Sequence, residues 1–187
     1  MSHENKVISL TFDWYLRNVL PVVCRIAPQS KLGYHGLYTH TSAVVFRGID
    51  YALSLSKNPK PVVLACAFHD MARTDDGPDL THGENAIPMV NAIFRDCIPV
   101  PQPYRDSIIY AVKNHTIGTV APDYISACLW DADRTRLAWE MGYDAQFFTT
   151  QRAKLVARSK YEVYLPFMKR NMSEYARKII TTLDKQY

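Results

Sequence analysis

The sequence lacks most of the features that would mark a secreted, membrane-bound or strand-built protein. Its four cysteines, Cys24, Cys66, Cys97 and Cys128, are widely spaced and form no CxxC pair. That spacing argues against both a zinc knuckle and a disulfide framework, and for a reducing compartment. No apolar run approaches the roughly 20 residues needed to span a bilayer, and the start of the chain, Met1 to Lys6, is polar rather than signal-like. A cytoplasmic location, away from membranes, is expected. Strand signals are also scarce: no alternating run stands out, and no Asn-Gly or Asp-Gly pair joins two β-branched segments. The chain has no internal repeat, no low-complexity tract, no phosphate-binding P-loop and no dinucleotide fingerprint. Its net charge of +4 comes from scattered Lys and Arg residues. It therefore lacks the clustered basic footprint of a dedicated nucleic-acid binder, but it tolerates an anionic small molecule.

What is present is helical periodicity. Helices are expected near 9–27, with Pro21 as a potential kink, and near 39–57 and 61–73. The third opens on Pro61 and is apolar nearly all round from Val62 to Phe68, which predicts burial. Thr81-His82-Gly83-Glu84 has the pattern of a capping box that opens a helix to about Cys97, with a break possible at Pro88. Further helices are expected near 104–116 and 123–141. In the last segment, 159–187, Tyr161, Leu165, Met168, Met172, Tyr175, Ala176, Ile179 and Leu183 recur three or four apart. Such a stripe reads first as core packing and second as a seam for a homo-oligomer. The expectation is one all-α domain spanning residues 1–187.

The chemistry gathers in the histidines. His69-Asp70 closes the apolar third helix, where burying Asp70 would cost several kcal/mol without a compensating cation. His40 opens the second helix. His115 follows Ile108 and Val112 on a core-facing stripe, and His82 lies beside Gly83, which leaves room for close approach. Asp131 follows the apolar run Leu129-Trp130, with Asp133 about 200° further round the helix. The two do not face one ion together, so one of them is a candidate ligand and the other an ion-pairing residue. Arg73 shares a helical face with His69 and Asp70, where it can fork onto a phosphate or pair with Asp75, Asp76 or Asp133. His35, in a loop, is either a wall of the site or simply solvated. Trp130 reads as core, with stacking on a base as the second reading.

The ordered set His40…His69-Asp70…Asp131 resembles the H…HD…D signature of the HD superfamily of metal-dependent phosphohydrolases. His69-Asp70-Met71-Ala72-Arg73-Thr74-Asp75-Asp76 with His82-Gly83, Asn114-His115, and Asp131-Ala132-Asp133-Arg134 are similar to motifs of its small stand-alone members. The resemblance covers about 35–137. It implies a helical bundle around a divalent metal (Mn, Mg, Fe, Co, Ni or Zn) held by His40, His69, Asp70 and Asp131, which leaves Asp133 the ion-pairing role. It implies His82 and His115 as ligands of a second metal or of phosphate, with Asp70 as the bridge. Catalytic roles then fall to Asp70, Arg73, His82 and His115, and substrate contacts to Arg73 and His35. The implied reaction is hydrolysis of a small phosphoester, such as a nucleotide, by metal-activated water. Two other readings stay open: a di-iron oxygenase built on the same ligands, and a regulatory module that binds metal or nucleotide without turnover.

Overall fold

In the computed structural model, which describes residues 2–142 and 144–181, helices account for nearly all regular structure and no strand occurs among those residues. The all-α expectation holds. The chain opens with α1 (His3–Trp14), a π-helical turn (Tyr15–Val19) and α2 (Leu20–Ile26). The π turn has a local cause. Pro21 has no N–H to give and crowds the carbonyl four residues back, and the wider winding lets the Leu20 amide reach Tyr15 instead. A second π turn (Leu37–Thr41) runs into α3 (Ser42–Ser54), followed by α4 (Pro59–Phe68).

Beyond α4 come α5 (His82–Asn85), α6 (Ile87–Asp96), α7 (Gln102–Asn114) and α8 (Tyr124–Met141). The break between α5 and α6 falls beside Pro88, as the sequence suggests. The capping box does not form. Thr81 instead donates both its hydroxyl and its amide to Asp79 Oδ1, and Glu84 pairs with Lys113. Toward the end lie α9 (Gln151–Arg158), α10 (Tyr161–Arg170) and α11 (Glu174–Thr181). The single C-terminal helix expected over 159–187 is thus broken at Asn171–Ser173, where the Asn171 side chain turns back onto the Phe167 carbonyl. Met168, Met172 and Ala176 of its stripe are buried, and Leu183 lies outside the described residues.

The buried apolar side chains form one continuous cluster. At its centre α3, α4, α7 and α8 pack against one another. Every residue from Pro61 to Phe68 of α4 is buried, so the C-terminal end of α4 delivers His69 and Asp70 into the interior. The start of α3, the end of α7 and the middle of α8 meet it there. Gly83 allows α5 to approach α7: a Cβ at this position would sit 2.5 Å from the Val112 carbonyl oxygen and 3.0 Å from His115 Nδ1.

A candidate metal centre

The site begins with the free carbonyls of helix ends. The last turn of a helix leaves C=O groups without partners; imidazoles take those of α4 and α7, and a third imidazole takes a carbonyl of the loop before α5. The ring nitrogen Nδ1 of His69 lies 2.7 Å from the Cys66 carbonyl, that of His82 2.6 Å from Asp79, and that of His115 2.8 Å from Val112, each three residues back. A carbonyl only accepts, so each Nδ1 carries the proton. In the neutral ring Nε2 is then a lone pair, the form that binds a metal.

These nitrogens converge, joined by Nε2 of His40. His82 Nε2 and His115 Nε2 are 2.8 Å apart, and His40 Nε2 and His69 Nε2 are 3.3 Å apart. Asp70 stands between the pairs. Its Oδ1 is 2.8 Å from His82 Nε2 and 3.7 Å from His115 Nε2; its Oδ2 is 3.2 Å from His69 Nε2 and 3.6 Å from His40 Nε2. Asp133 Oδ1 closes the second group, 3.0 Å from His40 and 3.7 Å from His69. His40, His69, Asp70, His82 and His115 are all buried. Acceptor atoms packed this closely repel unless a cation or protons lie among them. His40 Nδ1 is in addition buried without a hydrogen-bond partner. Two overlapping donor groups, His40–His69–Asp133 and His69–Asp70–His115, each have the spacing to hold an ion. The residues fit a divalent metal.

Electrostatics favours the same tenant. The C-terminal ends of α4 and α7 point their negative dipole ends at the cluster. Burial pushes the His40 and His115 imidazoles down, only partly offset by Asp133 and Asp70 respectively, which keeps both rings neutral near pH 7. Burial also acts against a charged His69, but Asp70 and Asp133 overcome it and push that ring up to about 9. Burial alone would raise both carboxyls, yet the surrounding histidines hold Asp70 and Asp133 below the usual carboxylate range.

Asp131 corrects the sequence expectation. Its oxygens accept the backbone amides of Thr149 (2.9 Å) and Thr150 (2.7 Å), which tie the start of α9 to α8. It faces away from the histidines, and Asp133 takes the place expected of it. The phase could not be read because α8 is buried on every side from Ile125 to Ala132; a helix apolar all round has no stripe to orient it. The polar residues that follow Asp133, Arg134 and Arg136, are the signal that marks its face as the open one.

A cleft of about 290 Å³ opens over the cluster, with His35, Arg73, Asp79, Arg134 and Arg136 among its walls. Arg73 Nε donates to Asp70 Oδ1 at 3.0 Å, and its Nη1 donates to the Gly77 carbonyl. It therefore pairs with Asp70 rather than with Asp75, Asp76 or Asp133. His35 does line the cleft. Asp76 Oδ1 receives the His35 amide at 2.9 Å and lies 3.0 Å from its Nδ1, and the His35 ring meets the edge of His40. Trp130 is core, donating its indole N–H to the Ala111 carbonyl. Arg134 and Arg136 were not singled out by sequence.

The crystal structure of a predicted HD superfamily hydrolase from an uncultured Thermotogales bacterium superposes on this chain with a TM-score of 0.62. The alignment covers 83% of this chain and 90% of that one at 20% identity. The fold is that of the HD domain. No family model matches the chain, and no curated protein matches it in sequence. At this identity the likeness carries the HD-domain architecture alone; the chemistry rests on the side chains. No helix among the described residues is long and apolar enough to cross a membrane.

Proposed function

We propose that the protein is a metal-dependent phosphohydrolase acting on a small phosphoester. The observation that carries this reading is Asp70, whose two oxygens face two separate groups of imidazole lone pairs. His40, His69, Asp70 and Asp133 would hold one divalent ion, and Asp70, His82 and His115 a second ion or the phosphate itself. Mg²⁺ or Mn²⁺ suits the carboxylates, and Fe²⁺, Co²⁺, Ni²⁺ or Zn²⁺ suits the imidazoles. When bound, such an ion supplies an acidified water and a Lewis acid for phosphoryl oxygens.

The chain's own residues do the rest. With a metal bound in place of the His69 proton and the histidines therefore neutral, Asp70 and Asp133 outweigh the one guanidinium paired to them, that of Arg73. A single divalent ion would turn this small negative balance positive; Arg134 adds further positive charge at the cleft wall, whereas Arg136 is paired with Glu140. An anionic substrate is drawn in and its developing charge is stabilised. Arg73 holds Asp70 in place, and His35, fixed by Asp76, forms the wall opposite.

The test is to strip the protein with a chelator, reload it with Mn²⁺, Mg²⁺ or Co²⁺, and follow phosphate release over a panel of phosphorylated metabolites. Metal-restored turnover that is lost in Asp133→Ala is expected. No release with any ion, together with oxygen uptake by an iron-loaded sample, would instead favour the oxygenase reading of the same ligands. Occupancy without either activity would favour a regulatory module.

A further inference from the structure

Next to the metal cleft lies a larger groove, of about 670 Å³, whose walls include Ile117, Leu137, Ala138, Met141, Phe147 and Phe148. The two spaces are neighbours, with Thr116, Arg134 and Leu137 lining both. Their adjacency follows from the chain. One wall is the segment directly after His115, Thr116 to Thr119, seated tightly because Gly118 has no side chain: a Cβ there would strike the Trp130 ring. The other wall is the face of α8 that begins at Asp133 and returns at Leu137, one turn on, and at Met141, two turns on. At 1.5 Å per residue the groove runs about 12 Å from the metal-facing carboxylate.

Most of its polar wall groups are engaged, with the Thr119 hydroxyl and the remaining lone pairs of the Asp144 carboxylate as the polar groups left at its edge. Arg134 donates to the carbonyls of Gly118 and Phe147, Gln146 to Asp144, and Thr116 to the Leu80 carbonyl. The larger part of the open surface is apolar: Ile117 is 63% exposed and Met141 82% exposed. Apolar surface left open beside a polar reaction centre is the signature of a ligand's apolar part.

Resting on the phosphohydrolase reading, we infer that the substrate is bipartite: a phosphoester head in the metal cleft joined to an alkyl or aryl group lying in this groove. Hydrolysis leaves the hydroxyl of water on phosphorus and its proton on the oxygen of the departing apolar alcohol. Adjacency to the cleft, with three shared wall residues, selects this occupant over a second copy of the chain, because a tail leaving the phosphate along the α8 face meets these apolar side chains first. The scarcity of free polar groups selects an apolar tail over a nucleoside.

Binding of non-hydrolysable probes tests this without turnover. The Mn²⁺-loaded protein is titrated calorimetrically with alkylphosphonates from methyl to octyl, with the matching alkyl carboxylates, and with a methylene-phosphonate analogue of adenosine monophosphate. Affinity is expected to rise roughly threefold per methylene until the chain outgrows the groove. Ile117→Asp, on an exposed position, should collapse the octyl-to-methyl affinity ratio at least fivefold. A flat phosphonate series overturns the bipartite substrate while leaving the phosphohydrolase reading standing, and so does tighter binding of the adenosine analogue than of octylphosphonate. Chain-length dependence with carboxylates but no binding of phosphonates supports the groove and overturns the phosphoester head. Flat series combined with a dimer that Ile117→Asp dissociates would assign the surface to a second copy and overturn the proposal.

Discussion

Two buried charged clusters lie within this small protein, and they are built to different ends. Around Asp50 the protein meets its own needs: both carboxylate oxygens accept from Arg152 Nε, and Oδ2 also accepts from the Tyr164 hydroxyl at 2.9 Å. Asp131 is satisfied in the same way by two backbone amides. Around Asp70 the acceptors outnumber the donors. Arg73 is the one guanidinium on that carboxylate, while imidazole Nε2 atoms press in on both oxygens. A closed network contributes to holding α10 and α9 against α3. An open one at the same depth makes sense only if something from solution completes it.

The sharpest way to break this comparison is to truncate one carboxylate from each cluster. Asp70→Ala should lower bound metal and turnover by roughly a hundredfold or more, read by elemental analysis and rate. It should also abolish the rise in melting temperature that the wild type gains from added metal. Asp50→Ala should retain full metal content yet lose about 3 kcal/mol in chemical denaturation, because the Arg152 charge and the Tyr164 hydroxyl are left without their partner. Reversed results would exchange the roles of the two clusters.

A finer test lies on α8 itself. Asp133→Ala should weaken metal binding with a small change in the stability of the metal-free protein. Asp131→Ala should cost about 2 kcal/mol through its orphaned amides and keep the metal. Equal loss of metal in both variants would return Asp131 to the ligand set.

The smallest effect is in pH. His69 in the metal-free protein binds a proton more tightly than an ordinary histidine, with its pKa pushed up to about 9. Its contribution to metal-free stability is therefore complete below the ordinary histidine value near 6.5 and is lost as pH rises through 9. Metal binding must displace that proton. Between these values metal affinity should climb with pH, up to about tenfold per unit, with close to one proton released per ion. His40 and His115, whose values are pushed down, have the opposite sign on metal-free stability, costing it as pH falls below the ordinary histidine value. Calorimetry in buffers of different ionisation enthalpy would measure the protons; none released across pH 7–8 would contradict the His69 assignment.

Much of this protein is determined by sequence alone. The 3.6-residue stripes, the all-apolar α4, and the placement of His40, His69, Asp70, His82 and His115 at or beside helix ends suffice to predict an all-α chain with a histidine-rich centre, because periodicity and helix ends are local properties. Pro21 and Pro88 announce a disturbance and a break in the same way, though not that the first takes the form of a π turn. Only the tertiary structure decided the rest. The phase of α8, hence Asp133 over Asp131, depends on which neighbour leaves a face open. The fate of Thr81 depends on Asp79 outcompeting Glu84 for it. The partner of Arg73 and the groove beside the cleft arise where segments far apart in sequence meet, and no local pattern records what a side chain finds across that distance.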